Sequence, residues 1–167
     1  MADYKPRYTP QEAIIEANRC LFCFDAPCIQ ACPTGIDIPS FIKKIATGNL
    51  TGSARTILTA NVLGASCARV CPTQVLCEGA CVVLDREGDP VKIGRLQRYA
   101  TDYVTGKNIS VLQAPANKTG KRVALIGGGP AGLGCAAELA LLGHSAVVFE
   151  KKLHAGGLNT YGIAYYK

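Results

Sequence analysis

The chain has 167 residues, of which 49% are hydrophobic, and a formal net charge of +6. A chain of this length and hydrophobicity folds as one domain or as two small ones, and its composition excludes a disordered segment. Its Lys and Arg residues are spread along the sequence rather than clustered, so we expect no nucleic acid partner.

The start of the chain does not resemble a secretory signal, because residues 1–9 are polar and rich in Pro and Tyr. We therefore expect a cytoplasmic protein, in which cysteines indicate metal or redox chemistry rather than disulfides. The long apolar stretch at residues 123–149 contains a Gly-Gly-Gly-Pro turn, Glu138 and His144, so we expect no membrane span there.

Residues 1–106 predict an all-helical unit without strands. A capping box with proline at the first helical position begins the first helix at residues 9–12, and Ile14, Ile15 and Leu21 follow as its apolar face. Residues 24–38, rich in proline and cysteine, predict a loop wrapped around a metal centre. Further helices are predicted over residues 39–47, 52–60, 65–70 and 91–105.

The pattern changes after residues 107–120, which have no periodicity and predict a connection between two units. A βαβ unit follows, and Cys135 in its alanine-rich helix is expected to be a small core residue. Its predicted parts are a buried strand at 123–126, a glycine-rich turn at 127–134, a helix at 131–142 and a second strand at 146–149.

Eight of the nine cysteines fall in two groups, each with a Cys-Pro step. The first group has the x2, x4, x3 spacing and is similar to the bacterial ferredoxin run, in which the fourth cysteine crosses to another cluster. A pair of zinc sites is the alternative, although the x3, x5, x3 spacing of the second group fits zinc knuckles poorly. The groups are Cys20, Cys23, Cys28 and Cys32, and Cys67, Cys71, Cys77 and Cys81.

Residues 20–99 resemble the amino-terminal domain shared by dihydropyrimidine dehydrogenase and the small subunit of NADPH-dependent glutamate synthase. This family carries two 4Fe-4S clusters in that domain, followed by an FAD domain. Gln97 favours the pyrimidine-reducing branch, since the glutamate synthase relatives tend to carry an acidic residue there. The matching stretches are residues 20–23, 28–33, 36–39, 70–72, 76–81 and 93–99.

The resemblance implies a ligand set that crosses between the two cysteine groups. When the family's ligand set is applied to this sequence, Cys67 binds neither cluster. The alternative is that Cys67 is a ligand and Gln97 faces solvent. Because both clusters would join the two groups, we expect the helical domain not to fold without metal. The implied ligands are Cys20, Cys23, Cys28 and Cys81 for one cluster, and Cys32, Cys71, Cys77 and Gln97 for the other.

The glycine-rich turn predicts a dinucleotide site, because it follows a strand and opens a helix. Glu150, at the end of the second strand, is placed to accept a hydrogen bond from a ribose hydroxyl, which indicates FAD or NAD. The resemblance favours FAD, and a tight turn without a ligand is the alternative. The implied contacts are Gly127, Gly128, Gly129, Pro130, Ala131, Gly132, Glu150, Lys151, Gly156, Gly157 and Leu158.

Together these observations predict an α + α/β protein: an all-helical two-cluster iron–sulfur domain (1–106), a linker (107–120) and a truncated Rossmann-type FAD domain (121–167). The resemblance implies a fragment of an NAD(P)H-dependent oxidoreductase, with the NAD(P)H site elsewhere. Its expected partners are the remainder of the flavin subunit and a substrate-reducing subunit or domain. We expect pyrimidine reduction, with a glutamate synthase subunit or a related NAD(P)H:acceptor oxidoreductase as alternatives, and a non-catalytic zinc-binding module as the alternative of another class.

Overall fold

The computed structural model describes residues 3–164 and Tyr166. Met1, Ala2, Tyr165 and Lys167, which the predicted domains include at their ends, lie outside the described residues. The chain divides into two compact units, with the boundary between Val111 and Leu112.

The described part of the first unit is helical and contains no strand, which confirms its predicted class. A short helix at Pro27–Gln30 lies within the segment that the sequence predicted as a loop, and another lies at Val82–Glu87. A 3₁₀ turn at Thr73–Val75 separates α5 from α6. The helices are α1 (Pro10–Asn18), α2 (Pro27–Gln30), α3 (Ile38–Ala46), α4 (Leu50–Ala60), α5 (Gly64–Val70), α6 (Val82–Glu87) and α7 (Ile93–Gly106).

Three of these helices begin where a polar side chain caps the free amides of the first turn. Thr9 accepts a hydrogen bond from the Glu12 amide, and the Glu12 carboxylate accepts one from the Thr9 amide, so the predicted capping box is present. Asp37 caps α3 and Asn49 caps α4 in the same way. These local signals fix where the helices start.

Helix α3 lies at the centre of the first unit and packs against α1, α4 and α7. Its Phe41, Ile42 and Ile45 are almost completely buried, together with Ile57 of α4 and Leu96 of α7. The burial of these large apolar side chains is the main contribution to the stability of the helical core. The cysteine-bearing loops emerge from the edges of this core.

Helix α1 buries a different face from the predicted one. Its buried residues are Ala13 and Ala17, whereas Ile14 is 43% exposed and Ile15 is 67% exposed. The predicted apolar face was therefore wrong. Small side chains on the buried face let α1 lie close to α3, since the distance between packed helices depends on the residues at the contact.

The start of α7 is held by carboxylates from distant parts of the chain. Glu16 of α1 accepts a hydrogen bond from the Lys92 amide at 2.8 Å, and Glu78 accepts one from the Gly94 amide at 2.9 Å. Amides of a first helical turn have no partner within the helix, and negative charge is favourable beside them. The two contacts therefore tie α1 and the loop before α6 to α7.

The second unit begins as a nucleotide-binding fold does. Strands β1 (Arg122–Ile126) and β2 (Ser145–Phe149) pair in parallel, and α8 (Pro130–Leu141) connects them. A short helix, α9 (Leu158–Tyr161), follows. The predicted βαβ arrangement is thus confirmed, as part of a mostly helical chain with a two-stranded parallel sheet.

The apolar faces of the second unit are largely exposed. Helix α8 buries none of its residues, and Ile126 of β1 is 86% exposed. Cys135 is exposed as well, so its predicted place in a core was wrong. Within its unit α8 packs on only two strands, which leaves most of its surface uncovered. None of the helices in the described residues combines the length and the hydrophobicity needed to cross a bilayer.

Candidate cofactor sites

The cysteines of the helical unit lie around two cavities, and each cavity draws on both cysteine groups. The first cavity encloses about 380 Å³ of space between atoms, open solvent included. Three of its cysteines come from the first group and one from the second. They are Cys20, Cys23, Cys28 and Cys81.

The walls of the first cavity are apolar, with Ile38 and Ile42 of α3 and Val91 among its lining residues. Burial raises the pKa of Cys28 to about 12, and negative charge on Cys20 and Cys81 adds to the effect. A thiol in such surroundings is protonated at neutral pH unless a cation stabilises its thiolate. The site therefore suits sulfur bound to metal.

A strained residue shapes the loop around the first cavity. Phe22 has a φ of +52°, a conformation uncommon for residues other than glycine. Its ring lies 4.6 Å from the Lys43 ammonium group, which contributes a cation–π contact. The turn at Phe22 directs Cys20 and Cys23 toward the same cavity, and α2 then brings in Cys28.

The second cavity encloses about 500 Å³, open solvent included, and lies between the loop after α2, the segment from α5 to the 3₁₀ turn, and α7. Only one of its cysteines comes from the first group. Its possible metal ligands are Cys32, Cys67, Cys71, Cys77 and Gln97.

Gln97 lies on α7 and is 8% exposed, so it is not a surface residue. Its side-chain nitrogen Nε2 donates a hydrogen bond of 2.7 Å to the carbonyl oxygen of Gly64. Because only the nitrogen of an amide can donate to a carbonyl, the orientation of this side chain is determined. Its oxygen is the atom that Gln97 can offer to the second cavity.

Cys67 lines the same cavity, and the Asn61 amide donates a hydrogen bond of 3.1 Å to its sulfur. A thiol or thiolate that already accepts this contact has a protein partner of its own. The structure thus brings both candidates for the last ligand, Cys67 and Gln97, to one cavity.

The thiols of the second cavity differ in acidity. Burial raises the pKa of Cys77 to about 12, with further contributions from the charges of Glu78, Cys71 and Cys32. Burial also raises the pKa of Cys71. For Cys32, burial is outweighed by hydrogen bonds from the Thr34 side chain and from the amides of residues 34–36, so its pKa is lowered.

The donors around these cavities are of the type that iron–sulfur clusters use. Among the described residues, no three His, Cys, Asp or Glu side chains converge on a point where one metal ion could be held. The four thiolates of a 4Fe-4S cluster bind four different irons, so they surround a volume. Soft sulfur donors around an apolar cavity are the chemistry that such a cluster requires.

In the second unit, Glu150 lies at the glycine-rich turn, as predicted from its position after β2. Its carboxylate accepts hydrogen bonds from the Lys152 amide at 2.8 Å and from the Gly128 amide at 2.7 Å. These two bonds lower the pKa of Glu150. The side chain is therefore an anion at neutral pH and can accept a hydrogen bond from a hydroxyl group.

The turn itself is close-packed on one side and open on the other. A Cβ on Gly132 would overlap the carbonyl oxygen of Gly127, so only glycine fits there. A Cβ on Gly129 would meet nothing within 4 Å, which leaves the start of α8 accessible to a pyrophosphate. The amide of Gly156 donates to the Gly128 carbonyl oxygen at 2.6 Å and joins the second glycine segment to the turn.

The other residues predicted to contact the dinucleotide lie around the glycine-rich turn or at the surface. Pro130 and Ala131 form the first turn of α8, and Gly157 has a φ of +54° and lies against Gly129. Lys151 and Leu158 are exposed to solvent.

Two charged residues beside the second cavity were not predicted from the sequence. Lys5 is 7% exposed and Glu78 is 6% exposed, although both residue types are usually at the surface. Glu78 stands next to a cysteine, whereas Lys5 belongs to a polar segment without a recognisable motif. Their burial arises from tertiary contacts between segments far apart in the chain.

The helical unit with its cysteine-lined cavities, followed by the start of a nucleotide-binding fold, defines the class of an iron–sulfur protein joined to a Rossmann-like unit. A family model described as dihydropyrimidine dehydrogenase domain II, 4Fe-4S cluster, matches residues 1–109. The chain belongs to this family. A second model, described as an NAD(P)-binding Rossmann-like domain, matches residues 125–162.

Curated relatives match nearly the whole chain. The chain is 45% identical over 162 residues to the NAD-dependent dihydropyrimidine dehydrogenase subunit PreT of Escherichia coli O157:H7, covering 97% of this chain and 39% of the relative. It is 46% identical over 160 residues to the PreT homolog of Salmonella typhi, covering 95% of this chain and 38% of that protein. The chain thus spans less than half the length of these relatives.

Proposed function

We propose that this chain is the electron-transfer portion of an NAD(P)H-dependent flavin and iron–sulfur oxidoreductase, carrying electrons between FAD and two 4Fe-4S clusters. In this proposal residues 1–106 bind both clusters, residues 107–120 form a linker, and residues 121–167 begin the FAD domain. The substrate of the complete enzyme is a pyrimidine.

The observation that carries the proposal is the convergence of both cysteine groups on each of two cavities. In the proposed assignment Cys20, Cys23, Cys28 and Cys81 hold one cluster. Cys32, Cys71 and Cys77 hold the other, and the oxygen of Gln97 is its fourth ligand. The buried position of Gln97 and the hydrogen bond from its nitrogen to Gly64, which leaves its oxygen as the donor atom, support Gln97 as the ligand, and the hydrogen bond from Asn61 to the Cys67 sulfur does not distinguish the two.

The bound clusters would supply one-electron transfer, and the protein residues would control it. The apolar walls around the first cavity exclude water, and exposure to solvent is one of the factors that set cluster potential. A neutral amide ligand makes the second cluster one unit less negative than a cluster with four thiolates. We therefore expect the two clusters to have different potentials.

For the second unit we propose the ADP half of FAD as the ligand. The open space at Gly129 and the ionised carboxylate of Glu150 support an adenosine diphosphate moiety. FAD and NAD share that moiety, so the match to an NAD(P)-binding family is compatible with either. The resemblance to the family described above favours FAD, and in this proposal the nicotinamide binds elsewhere.

The proposed substrate class and partners rest on the relatives. Their names describe them as subunits of an NAD-dependent dihydropyrimidine dehydrogenase. By analogy, the chain would work with the remainder of a flavin subunit and with a subunit that reduces the pyrimidine.

Anaerobic analysis of iron, zinc and acid-labile sulfide in the purified chain tests the cluster proposal. We expect about eight irons and a matching amount of sulfide per chain, as two 4Fe-4S clusters require. Zinc without sulfide would show the alternative, in which the cysteines only hold a non-catalytic module together.

Single cysteine variants test the ligand assignment. Cys28→Ser is expected to lose one cluster, about half of the iron, whereas Cys67→Ser is expected to keep both. Cys135→Ser, in the second unit, is the control for a cysteine outside both cavities. Loss of iron in Cys67→Ser with full iron in Gln97→Ala would assign the last ligand to Cys67 instead.

A further inference from the structure

We propose that Lys5 and Glu78 act as opposed buried charges that set the reduction potential of the cluster in the second cavity. This inference rests on the proposed function and adds residues that are not ligands. Lys5 raises the potential and Glu78 lowers it.

Lys5 places a positive charge beside the ligand loop. Its ammonium group donates a hydrogen bond of 2.9 Å to the carbonyl oxygen of Cys71 and lies 3.5 Å from the hydroxyl of Thr73. Both acceptors are neutral. The side chain is 7% exposed, so water screens its charge only weakly.

Glu78 places a negative charge on the same loop, directly after Cys77. Its Oε1 atom accepts a hydrogen bond of 2.9 Å from the Gly94 amide at the start of α7, and the residue is 6% exposed. Negative charge is favourable beside the free amides of a first helical turn. This charge is therefore also held close to the second cavity.

The two charges lie near each other without forming an ion pair. A Cβ on Gly94 would stand 3.2 Å from the Lys5 nitrogen and 3.5 Å from the Glu78 oxygen Oε1. The ion pairs of the described residues, defined by a distance of 4.0 Å or less, do not include this pair. Replacing one of the two therefore leaves the other charge beside the cavity uncompensated.

Reduction of a cluster adds one electron, so a nearby cation stabilises the reduced form and a nearby anion destabilises it. The effect is strong in a buried environment, where the effective dielectric constant is low. Net charge and hydrogen bonding around a cluster are among the factors that tune its potential. Lys5 donates to the carbonyl oxygen of Cys71 and Glu78 follows Cys77, so both charges lie nearest to ligands proposed for the second cluster, and the effect should be larger there than at the first cluster.

The backbone of the amino-terminal segment is fixed in a way that holds Lys5 in place. The Arg98 guanidinium donates to the carbonyl oxygen of Lys5 and pairs with Asp3 at 2.8 Å. Arg95, from the same helix, donates to the carbonyl oxygen of Pro6 at 3.0 Å. Helix α7 thus provides Gln97 and also holds the segment that carries the lysine.

Redox titration of both clusters, followed by EPR in the purified chain, tests the proposal. We expect Lys5→Met to lower the midpoint potential of the second cluster and Glu78→Gln to raise it, with a smaller shift of the first cluster in both. The double variant should return toward the wild-type value. Lys107→Met removes one positive charge from the exposed end of α7 and is the matched control. The variant Cys28→Ser, which lacks the first cluster, assigns the signals.

Shifts of the same sign in the two variants, no shift in either, or equal shifts of both clusters would overturn the proposal. A loosened loop would shift the midpoint potential of the second cluster in the same direction in both variants. Shifts of opposite sign therefore cannot result from a disturbed fold. If the Lys5→Met protein does not contain the second cluster, the Glu78→Gln protein provides the test. A raised midpoint potential of its second cluster supports the proposal, and any other result rejects it. Iron and sulfide content of the wild-type chain is measured first, so a chain without two clusters would refute the proposed function separately.

Discussion

Replacement of Arg98 by methionine is expected to release the amino-terminal segment from α7. The Arg98 side chain is only 5% exposed and contacts three groups. They are the carbonyl oxygen of Lys5, the carboxylate of Asp3 at 2.8 Å and the carboxylate of Asp102 at 3.3 Å. Methionine keeps the apolar packing of the side chain and removes all three interactions.

The expected loss follows from the burial of each partner. A hydrogen bond from a charged donor to a buried carbonyl contributes about 1.5–3 kcal/mol. The pair with Asp3 contributes less than about 1 kcal/mol, because the Asp3 side chain is 46% exposed. The segment is then less stably docked by about 2–4 kcal/mol, which corresponds to an open population about 30 to 900 times larger.

Tryptic cleavage after Arg7 measures that population, since the peptide bond must leave the protein surface to enter the protease. When closing is faster than cleavage, the cleavage rate is proportional to the open fraction. Mass spectrometry of anaerobic digests follows the cut. Arg55→Met is the matched control, because the Arg55 guanidinium donates to the carbonyl oxygen of Val111 and, among the described residues, makes no hydrogen bond or ion pair with residues 3–7.

Equal cleavage rates in Arg98→Met and wild type would refute this reasoning. The same result would show that contacts other than those of Arg98 hold the segment. Faster cleavage in both Arg98→Met and Arg55→Met would indicate a general loss of stability instead.

Four further substitutions test other parts of the structure. Gln97→Cys adds a negative charge to the second cluster, so we expect its midpoint potential to fall in an EPR-monitored titration while that of the first cluster stays. Gly132→Ala is expected to distort the turn, because its Cβ would overlap the Gly127 carbonyl oxygen, whereas Gly129→Ala should keep the fold and weaken ADP binding in calorimetric titrations. Burial raises the pKa of Tyr8 from 10.0 to about 12, so the stability that it contributes is complete below pH 10 and is lost as the pH rises toward 12. In thermal melts, Tyr8→Phe should lack that part of the alkaline loss.

Each of these expectations has a contradicting result. Unchanged midpoints in Gln97→Cys would remove the amide from the ligand set or show that its charge has no effect. Equal ADP affinities of wild type and Gly129→Ala would place the nucleotide away from the turn. Alkaline melts that are the same for wild type and Tyr8→Phe would assign the loss to other groups.

Local signals predicted the framework of the fold. The capping box at Thr9 and the strand–glycine–helix order after residue 121 are encoded within a few residues, and the structure contains both. The sequence analysis missed the buried face of α1 because Ala13 and Ala17 are buried by close packing against α3, which their modest hydrophobicity does not indicate. Cys135 was misplaced because a core position requires neighbours that α8 lacks in its unit.

The sequence predicted the type of cofactor site, but it did not determine which cysteine lies at which cavity. Spacing alone put eight cysteines in two groups, but the path of the chain between the groups decides which cavity each sulfur faces. The resemblance supplied the grouping, and in the structure the second cavity is lined by Cys67 as well as by the four residues assigned to it, so the choice of the last ligand stays a prediction. No local sequence signal indicated that Lys5 and Glu78 are buried. Lys5 is covered by residues more than 60 positions away in the chain, and Glu78 by the start of α7.

The crossing of cysteines between the two cavities has a consequence for biosynthesis. The first cavity is lined by residues from Cys20 to Ile93, and the second by residues from Cys32 to Gln97. Neither wall is complete while the nascent chain is shorter than about its first hundred residues. The proposed clusters would therefore complete their sites only after the ribosome has released the whole helical segment.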